Sequence, residues 1–122
     1  MTKQELLKTH FGYDTFREGQ EAVIDALLAG RDVLAVMPTG AGKSICYQVP
    51  ALMLSGITIV ISPLISLMQD QVKALNEAGI HAAFINSSLS ESQISKALYL
   101  AAGGRYKIIY LHMIFNFANP GK

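Results

Sequence analysis

Short apolar runs alternate along the chain with stretches in which apolar residues recur every three or four positions. Four runs have the length and composition of buried strands: residues 32–37, 57–61, 81–85 and 107–111. Every residue from 57 to 61 is β-branched. Such side chains are typical of strands because they pack well on a pleated surface. We therefore predict a strand at each of the four runs.

The intervals between these runs carry helical spacing and recognisable end signals. Helices are predicted at residues 3–10, 18–29, 43–48, 63–78 and 91–103. Serine is a common N-cap residue, so Ser62 and Ser90 are predicted to cap the helices that follow them. Gln93, three positions after Ser90, is predicted to complete a capping box with it. Pro63 suits the first helical position. Pro50 lacks a backbone donor, so we predict that the helix breaks there.

The alternation of strands and helices determines the expected architecture. Consecutive parallel strands need a crossover connection, and a helix supplies it in a right-handed βαβ unit. A sheet built from such units is covered by helices on both faces. The sequence therefore predicts the α/β class, with a mainly parallel sheet and helices on both faces.

Composition and charge are those of one ordinary domain. The chain has 122 residues, of which 51% are apolar, enough to build a single buried core. Its net charge is only +1, so any contact with nucleic acid is expected to be local. The single cysteine, Cys46, forms no internal disulfide and is expected to pack in the core. Without a recognisable signal peptide or an apolar span of ~20 residues, we expect a soluble, cytoplasmic protein and no membrane partner.

The candidate chemistry lies between the first predicted strand and the helix after it. Residues 37–44 read Met-Pro-Thr-Gly-Ala-Gly-Lys-Ser, which is a glycine-rich strand-to-helix turn. In a phosphate loop the backbone N–H groups surround a phosphate, the lysine neutralises the β and γ oxygens, and the hydroxyl ligands Mg²⁺. Lys43 and Ser44 occupy the last two positions. Met37 stands where the general pattern has glycine, and a simple turn with a solvated lysine is the alternative interpretation.

Three segments, in this order, resemble motifs of the RecQ family of superfamily 2 helicases. Their sequences are Phe-Gly-Tyr-Asp-Thr-Phe-Arg-Glu-Gly-Gln at 11–20, Pro-Thr-Gly-Ala-Gly-Lys-Ser at 38–44, and Ser-Pro-Leu-Ile-Ser-Leu-Met-Gln-Asp-Gln-Val at 62–72. The likeness covers residues 6–110, with Ala41 in place of the family's usual glycine. It implies a P-loop NTPase fold of the RecA-like type, ATP and Mg²⁺ as cofactors, and single-stranded or partly duplex DNA as a partner of the full-length protein.

The resemblance also implies a nucleotide site. Its cofactor-binding residues would be Arg17, Gln20, Thr39, Gly40, Ala41, Gly42, Lys43 and Ser44. Gln20 would read the adenine edge, since an amide donates and accepts at once, and Arg17 would assist. An aromatic residue between positions 11 and 16 would pack near the base. Lys43 and Ser44 would be the catalytic residues, with Ser44 as the Mg²⁺ ligand. Without the resemblance, Gln20 and Arg17 are an ordinary polar residue and a solvated charge.

By the same resemblance, the DNA-contacting residues would be Ser62, Pro63, Leu64 and Ser66. They stand at the predicted start of a helix, where exposed amides favour a phosphate. A capped helix that binds no ligand is the alternative.

The likeness ends after Tyr110, where the family continues into a Pro-Glu-Arg segment. We divide the chain into residues 1–111, the N-terminal part of a RecA-like ATP-binding domain, and residues 112–122, a divergent tail. A truncation, a reading-frame change or a gene fragment would each give this pattern. The strand order that the resemblance implies places two later strands between residues 32–37 and 57–61, so the sheet is expected to be incomplete.

Two hypotheses of different class follow. The chain is either the ATP-binding part of a DNA helicase, which couples ATP hydrolysis to unwinding in the full-length protein, or a non-catalytic nucleotide- or DNA-binding fragment. The second is suggested because the sequence contains no Asp-Glu pair, the acidic motif that holds Mg²⁺ in such helicases. A second motor domain would supply an arginine worth about 10³–10⁵ in rate, so little ATP turnover is expected from this chain alone. A different P-loop NTPase is a weaker option that residues 16–20 disfavour.

Overall fold

A computed structural model describes residues 1–37, 42–86 and 89–112. The chain divides into two compact units, residues 1–55 and residues 56–122. Within the described ranges no helix is both long and apolar enough to cross a membrane.

The regular elements of the first unit, within the described residues, are helices. They are α1 (Lys3–Leu6), a π-helical turn (Leu7–Phe11), α2 (Gln20–Leu28) and α3 (Ile45–Met53). Thr2 caps α1, because its hydroxyl accepts from the Glu5 N–H at 3.1 Å. The buried core of this unit is formed by Leu7, Ile24, Ile45 and Val49. This core fixes α2 against α3, the two helices that carry the candidate nucleotide site.

An ion pair also ties the beginning of the chain to α2. The Lys3 ammonium lies 2.9 Å from a Glu21 carboxylate oxygen and 2.6 Å from an Asp25 oxygen. These two acceptors are one helical turn apart, so a single cation bridges them. The hydrogen bond with Asp25 is the main cause that raises the pKa of Lys3, and the bond with Glu21 adds to it.

The predicted strand at residues 32–37 is wrong, because these residues form no regular secondary structure. Their side chains nevertheless alternate: the odd-numbered ones from 33 to 37 line a small cavity, while Leu34 and Val36 are 93% and 90% exposed. A strand exists only where ladder hydrogen bonds form. An apolar run predicts the extended alternation of side chains but cannot supply the partner strand.

Pro50 lies inside α3 and does not end it, contrary to the sequence prediction. The helix continues to Met53, and the Leu54 N–H donates to the Pro50 carbonyl at 2.9 Å. A proline in a helix interior costs ~3 kcal/mol. Pro50, Val49 and Ala51 are all buried, and full burial of an apolar side chain contributes ~1.5–3 kcal/mol. Packing of this helix face therefore offsets the lost hydrogen bond.

The second unit is a parallel α/β sheet. Its elements are β1 (Thr58–Ser62), α4 (Ile65–Glu77), β2 (Ala82–Ile85), α5 (Glu91–Ala102) and β3 (Ile108–His112). Within the described residues the sheet has three strands in the order β1-β3-β2, and both pairings are parallel. Ile108 of β3 is in register with Thr58 on one side and with Ala82 on the other. The predictions of a parallel sheet and of these three strands are confirmed.

The central strand, β3, is buried on both faces of the sheet. All five of its residues are buried, and successive side chains of a strand point to opposite faces. One face belongs to a core cluster that includes α5: Ile85, Ala101, Ile109 and Leu111. On the other face, Ile108 and Tyr110 are 0% and 1% exposed. A strand covered on both sides in this way explains why residues 107–111 read as a continuous apolar run.

Helix α4 begins two residues later than predicted, and Ser62 is not its N-cap. Ser62 is the last residue of β1, and the N-cap is Leu64, which makes no side-chain capping bond. The Ser62 hydroxyl instead accepts from the Leu64 N–H at 3.2 Å. Serine side chains accept hydrogen bonds from nearby backbone N–H groups both at helix N-caps and in turns, so the residue type alone does not distinguish the two. The sequence therefore located the junction but not its first helical residue.

The capping box at the start of α5 is present as predicted. The Gln93 N–H donates to the Ser90 hydroxyl at 3.2 Å, and the Ser90 N–H donates to the Gln93 side-chain oxygen at 2.8 Å. Two helix-start donors are thereby satisfied by local side chains.

We expect Ser90→Ala to lower the free energy of unfolding by about 0.5–2 kcal/mol, since alanine cannot accept from the Gln93 N–H. Urea denaturation followed by circular dichroism measures the difference. Ser95→Ala, an exposed serine of the same helix, is the matched control and should change stability by less than about 0.5 kcal/mol. Equal midpoints for the two variants would mean that the box contributes nothing.

Candidate nucleotide-binding site

The beginning of α3 carries the two side chains that the sequence assigned to phosphate and Mg²⁺. Lys43 is exposed, and Ser44 is half-buried at the N-cap position. The Ser44 side chain makes no capping hydrogen bond, while its carbonyl accepts from the Gln48 N–H at 2.9 Å. A helix start presents N–H groups and the positive end of the helix dipole. A cation and a hydroxyl thus stand where an anion is favoured.

Gln20, the first residue of α2, is brought directly against this turn. Its side-chain nitrogen donates to the Gly42 carbonyl at 3.0 Å, and its oxygen accepts from the Arg17 N–H at 2.7 Å. The residue is only 3% exposed. An amide has two N–H groups and two acceptor lone pairs, so these two contacts use half of its capacity. The structure therefore joins two sequence-predicted residues, Gln20 and Gly42, that are 22 positions apart.

Gly42 needs to be glycine for two reasons. Its φ is +75°, in the left-handed region that side-chain-bearing residues rarely adopt. A Cβ at this position would lie 2.5 Å from the Gln20 side-chain nitrogen, well inside van der Waals contact. The glycine thus allows both the turn into α3 and the close approach of the Gln20 amide.

Arg17 and the nearby aromatic residues take different positions around this contact. The Arg17 side chain is exposed. The backbone N–H of Arg17 donates to the Gln20 side-chain oxygen, and the Arg17 carbonyl accepts from the Gln20 backbone N–H. Phe11 and Phe16 pack against the core cluster of the first unit. Tyr13 is 53% exposed, so it is the aromatic residue of this segment with the largest face open to a base.

A cavity of about 180 Å³ opens beside Lys43. Its other walls come from α2, α3 and the odd-numbered residues from 33 to 37, and they include Val23, Cys46 and Tyr47. Cys46 is buried, with its sulfur 3.8 Å from the sulfur of Met37. Burial raises the pKa of the Cys46 thiol, which keeps it in the unreactive thiol form. The expectation that Cys46 is a packing residue is confirmed.

Three residues assigned to the phosphate loop, Thr39, Gly40 and Ala41, lie outside the described residues. Among those that are described, no three His, Cys, Asp or Glu side chains come together as a metal site. In the described part of the loop, the candidate ligand for a metal ion is therefore the Ser44 hydroxyl rather than a cluster of carboxylates.

The four residues assigned to DNA lie at the junction of β1 and α4. Pro63, Leu64 and Ser66 are exposed, and Ser62 is half-buried. Because β1 runs parallel to β3, Ser62 and His112 end their strands at the same edge of the sheet, in register with each other. The carboxyl edge of a parallel sheet is where α/β folds bind ligands.

His112 is a neighbour of this junction that the sequence gave no reason to select. Its Nε2 lies 3.0 Å from the Pro63 carbonyl oxygen, so Nε2 donates there. The residue is 9% exposed, and among the described residues its Nδ1 has no hydrogen-bond partner. Only the parallel pairing of β1 and β3 brings residues 49 positions apart together, and no local motif contains both.

Comparison with known proteins identifies the family of the chain. Residues 17–114 match the sequence model of the DEAD/DEAH box helicases. The chain belongs to this family. The match begins at Arg17, includes the turn from Gly42 to Ser44 and reaches past the end of β3. It therefore covers Gln20 and the turn that leads into α3, as well as the whole described sheet.

Within the DEAD/DEAH box helicases, the chain is similar to RecQ proteins. It is 56% identical over 109 residues to the ATP-dependent DNA helicase RecQ of Bacillus subtilis, an alignment that covers 88% of the chain and 18% of the relative. It is 52% identical to the Haemophilus influenzae RecQ, with 90% of the chain and 18% of the relative covered. The ATP-dependent DNA helicase Q-like 5 of Arabidopsis thaliana is 43% identical, with 88% and 12% covered. The chain spans less than a fifth of the length of these relatives.

Membership of the DEAD/DEAH box helicases places the parallel α/β sheet in the RecA-like class of P-loop folds. The fold class predicted from the sequence is therefore confirmed. The RecQ resemblance carried by residues 11–20, 38–44 and 62–72 is confirmed as well.

Proposed function

We propose that this chain is the ATP-binding part of a RecQ-like DNA helicase that couples ATP hydrolysis to DNA unwinding in the full-length protein. One observation carries the proposal. The side-chain amide of Gln20 lies 3.0 Å from Gly42, next to an exposed Lys43 and a Ser44 hydroxyl at the start of α3. The amide that we propose reads the base thus adjoins the turn that we propose binds phosphate, in a chain similar to proteins named as ATP-dependent DNA helicases.

In this proposal Lys43 and Ser44 hold the phosphate end of the nucleotide. Lys43 forms charge-assisted hydrogen bonds with the β and γ oxygens. The Ser44 hydroxyl ligands Mg²⁺, and the site fits that role because the hydroxyl is not used as a helix cap. If held there, Mg²⁺ would supply positive charge to the phosphates during transfer. Thr39, Gly40 and Ala41, which lie outside the described residues, are proposed as further cofactor-binding residues of the same loop.

Gln20 recognises the adenine base. Adenine presents a donor and an acceptor side by side, and the Gln20 amide retains one N–H and one lone pair beyond its two contacts with described residues. The bonds with Arg17 and Gly42 fix which end of the amide is oxygen and which is nitrogen, because a backbone N–H requires an acceptor and a carbonyl requires a donor. The Arg17 side chain, exposed beside this amide, assists at the nucleotide.

The junction of β1 and α4 contacts the DNA backbone in this proposal. Ser62, Pro63, Leu64 and Ser66 lie at the carboxyl end of β1. Leu64, the N-cap of α4, offers no side-chain cap, so the N–H groups of the first turn are available to a phosphate oxygen. Single-stranded or partly duplex DNA is the proposed partner.

The non-catalytic alternative is less well supported. It rested on the missing Asp-Glu pair, whereas the similarity to RecQ proteins extends over about nine-tenths of the chain, with 90% covered in the Haemophilus influenzae alignment. We therefore retain the helicase as the proposed function.

We expect ATP to bind about tenfold more tightly than GTP in the presence of Mg²⁺. Guanine has a carbonyl oxygen where adenine has an amino group, so it would place an acceptor against the Gln20 oxygen, and a bidentate pair discriminates between bases by about 1–3 kcal/mol. Isothermal titration of the folded chain measures both affinities. Equal affinities would refute the role of Gln20 in base recognition, and no binding of either nucleotide would refute the proposed function.

A further inference from the structure

We propose that the cavity beside Lys43 binds a small aromatic carboxylic acid, with the ring inside the cavity and the carboxylate on the Lys43 ammonium. The cavity lies within the first unit, where α2, α3 and the odd-numbered residues from 33 to 37 form its walls. Such an acid is a class of ligand separate from a nucleotide. The inference goes beyond the proposed function and does not depend on it, because it requires Lys43 only as a cation.

The first support is the size of the cavity. Its volume is about 180 Å³, and an apolar cavity of about 150 Å³ is large enough to hold a benzene molecule. Drug-sized ligands occupy pockets of about 300–1,000 Å³, so this cavity suits a single ring with a short side arm. Two of its lining residues, Ala35 and Lys43, are exposed. A ligand can therefore enter from solvent without unfolding the first unit.

The second support is the chemistry of the walls. Of the eight described residues that line the cavity, six have apolar or sulfur-containing side chains: Val23, Leu27, Val33, Ala35, Met37 and Cys46. Transfer of an apolar body from water to such walls is favourable. Tyr47 adds an aromatic ring to the lining, and aromatic pairs gain energy beyond the area that they bury. The walls therefore favour an aromatic ring over a polar ligand.

The third support is a pair of sulfur atoms in one wall. The Cys46 sulfur lies 3.8 Å from the Met37 sulfur. Met37 also packs against Gly19, the N-cap of α2, since a Cβ there would lie 3.6 Å from the terminal carbon of Met37. Sulfur atoms make favourable contacts with aromatic rings. Met37 stands where the general phosphate-loop pattern has glycine, and a glycine would leave this wall without its thioether.

The fourth support is the charge at the cavity. Lys43 is the only charged side chain among the described residues that line it. None of the ion pairs within the described ranges involves Lys43. A carboxylate forms charge-assisted hydrogen bonds with an ammonium group, and these are about twice as strong as bonds between neutral groups. The ligand that fits both the walls and the cation is therefore a ring that carries one acidic group.

The test is an NMR titration of the full chain with phenylacetate, with phenylacetamide as the neutral match and acetate as the match without a ring. We expect phenylacetate to bind about tenfold more tightly than phenylacetamide. It should shift the methyl resonances of Ala35 and Met37, because the ring lies against them. Acetate should give no saturable shift. Equal affinities for the acid and the amide, saturation by acetate, or no binding of phenylacetate would each overturn the proposal.

Two variants, each with a matched control, locate the ligand. Ala35→Leu fills the cavity from an exposed position and should weaken phenylacetate binding about tenfold, whereas Ala22→Leu, at an exposed position of α2 outside the lining, should match wild type. Lys43→Met should reduce the affinity for phenylacetate to that for phenylacetamide, and Lys73→Met should not. Wild-type affinity in folded Ala35→Leu would mean that the ring binds elsewhere and that the inference is wrong. The comparison of the three ligands on wild type decides the question even if a variant fails to fold.

Discussion

Replacing Lys43 with alanine is expected to weaken ATP binding by about 10- to 100-fold. The substitution removes the charge-assisted hydrogen bonds to the β and γ phosphates, and a hydrogen bond to a charged group contributes about 1.5–3 kcal/mol. Lys43 is exposed at the start of α3, so its truncation leaves no cavity in the core. Isothermal titration with Mg²⁺-ATP measures the effect, and circular dichroism checks that the helices remain.

Lys73→Ala is the matched control for this experiment. Lys73 is an exposed lysine on α4, so the two variants carry the same change in net charge. If the nucleotide were attracted only by the overall charge of the chain, the loss of one positive charge would weaken binding equally in both variants. Equal affinities for wild type and Lys43→Ala would contradict the assignment of the phosphate-binding turn.

Replacing Ile24 with alanine is expected to lower the free energy of unfolding by about 2–5 kcal/mol. Its side chain is 0% exposed in the cluster that packs α2 against α3, and alanine there loses both apolar burial and close packing. Domains are stable by only about 5–15 kcal/mol in total. This one change should therefore remove a large part of the stability and loosen the contact between Gln20 and Gly42.

Ile59→Ala provides the control for Ile24→Ala, because Ile59 is 60% exposed on β1. The same chemical change should then lower the free energy of unfolding by less than about 0.5 kcal/mol. Thermal or urea unfolding of the wild type and both variants gives the comparison. Similar losses at the two positions would show that the α2–α3 cluster is not the core of the first unit.

The sequence by itself determined most of the elements of the second unit. Strands at 57–61, 81–85 and 107–111 and the capping box of α5 were all found, within about a residue, because their signals are local. Side-chain period, β-branching and cap chemistry act over a few neighbouring residues. The same locality allowed a candidate phosphate loop to be proposed, since Gly40, Gly42, Lys43 and Ser44 lie within five neighbouring positions.

Two sequence predictions failed because neighbours in space outweighed local preference. The run at 32–37 has strand-like alternation but no ladder, and no property of the run itself can provide a partner. Pro50 is a local helix breaker, yet α3 continues through it because its helix face is buried. Helix propensity is a weak signal that tertiary packing often overrides.

Only the tertiary structure decided how the candidate site is assembled. From sequence, Gln20 and Gly42 were separate members of two motifs; the structure joins them by a 3.0 Å hydrogen bond across 22 positions. It likewise places His112 against Pro63, across 49 positions. A motif records which residue types a site needs, because those requirements are chemical and local. Which of these residues touch depends on how helices and strands pack, and that is fixed by buried contacts such as Ile24 with its α3 neighbours, which no single segment encodes.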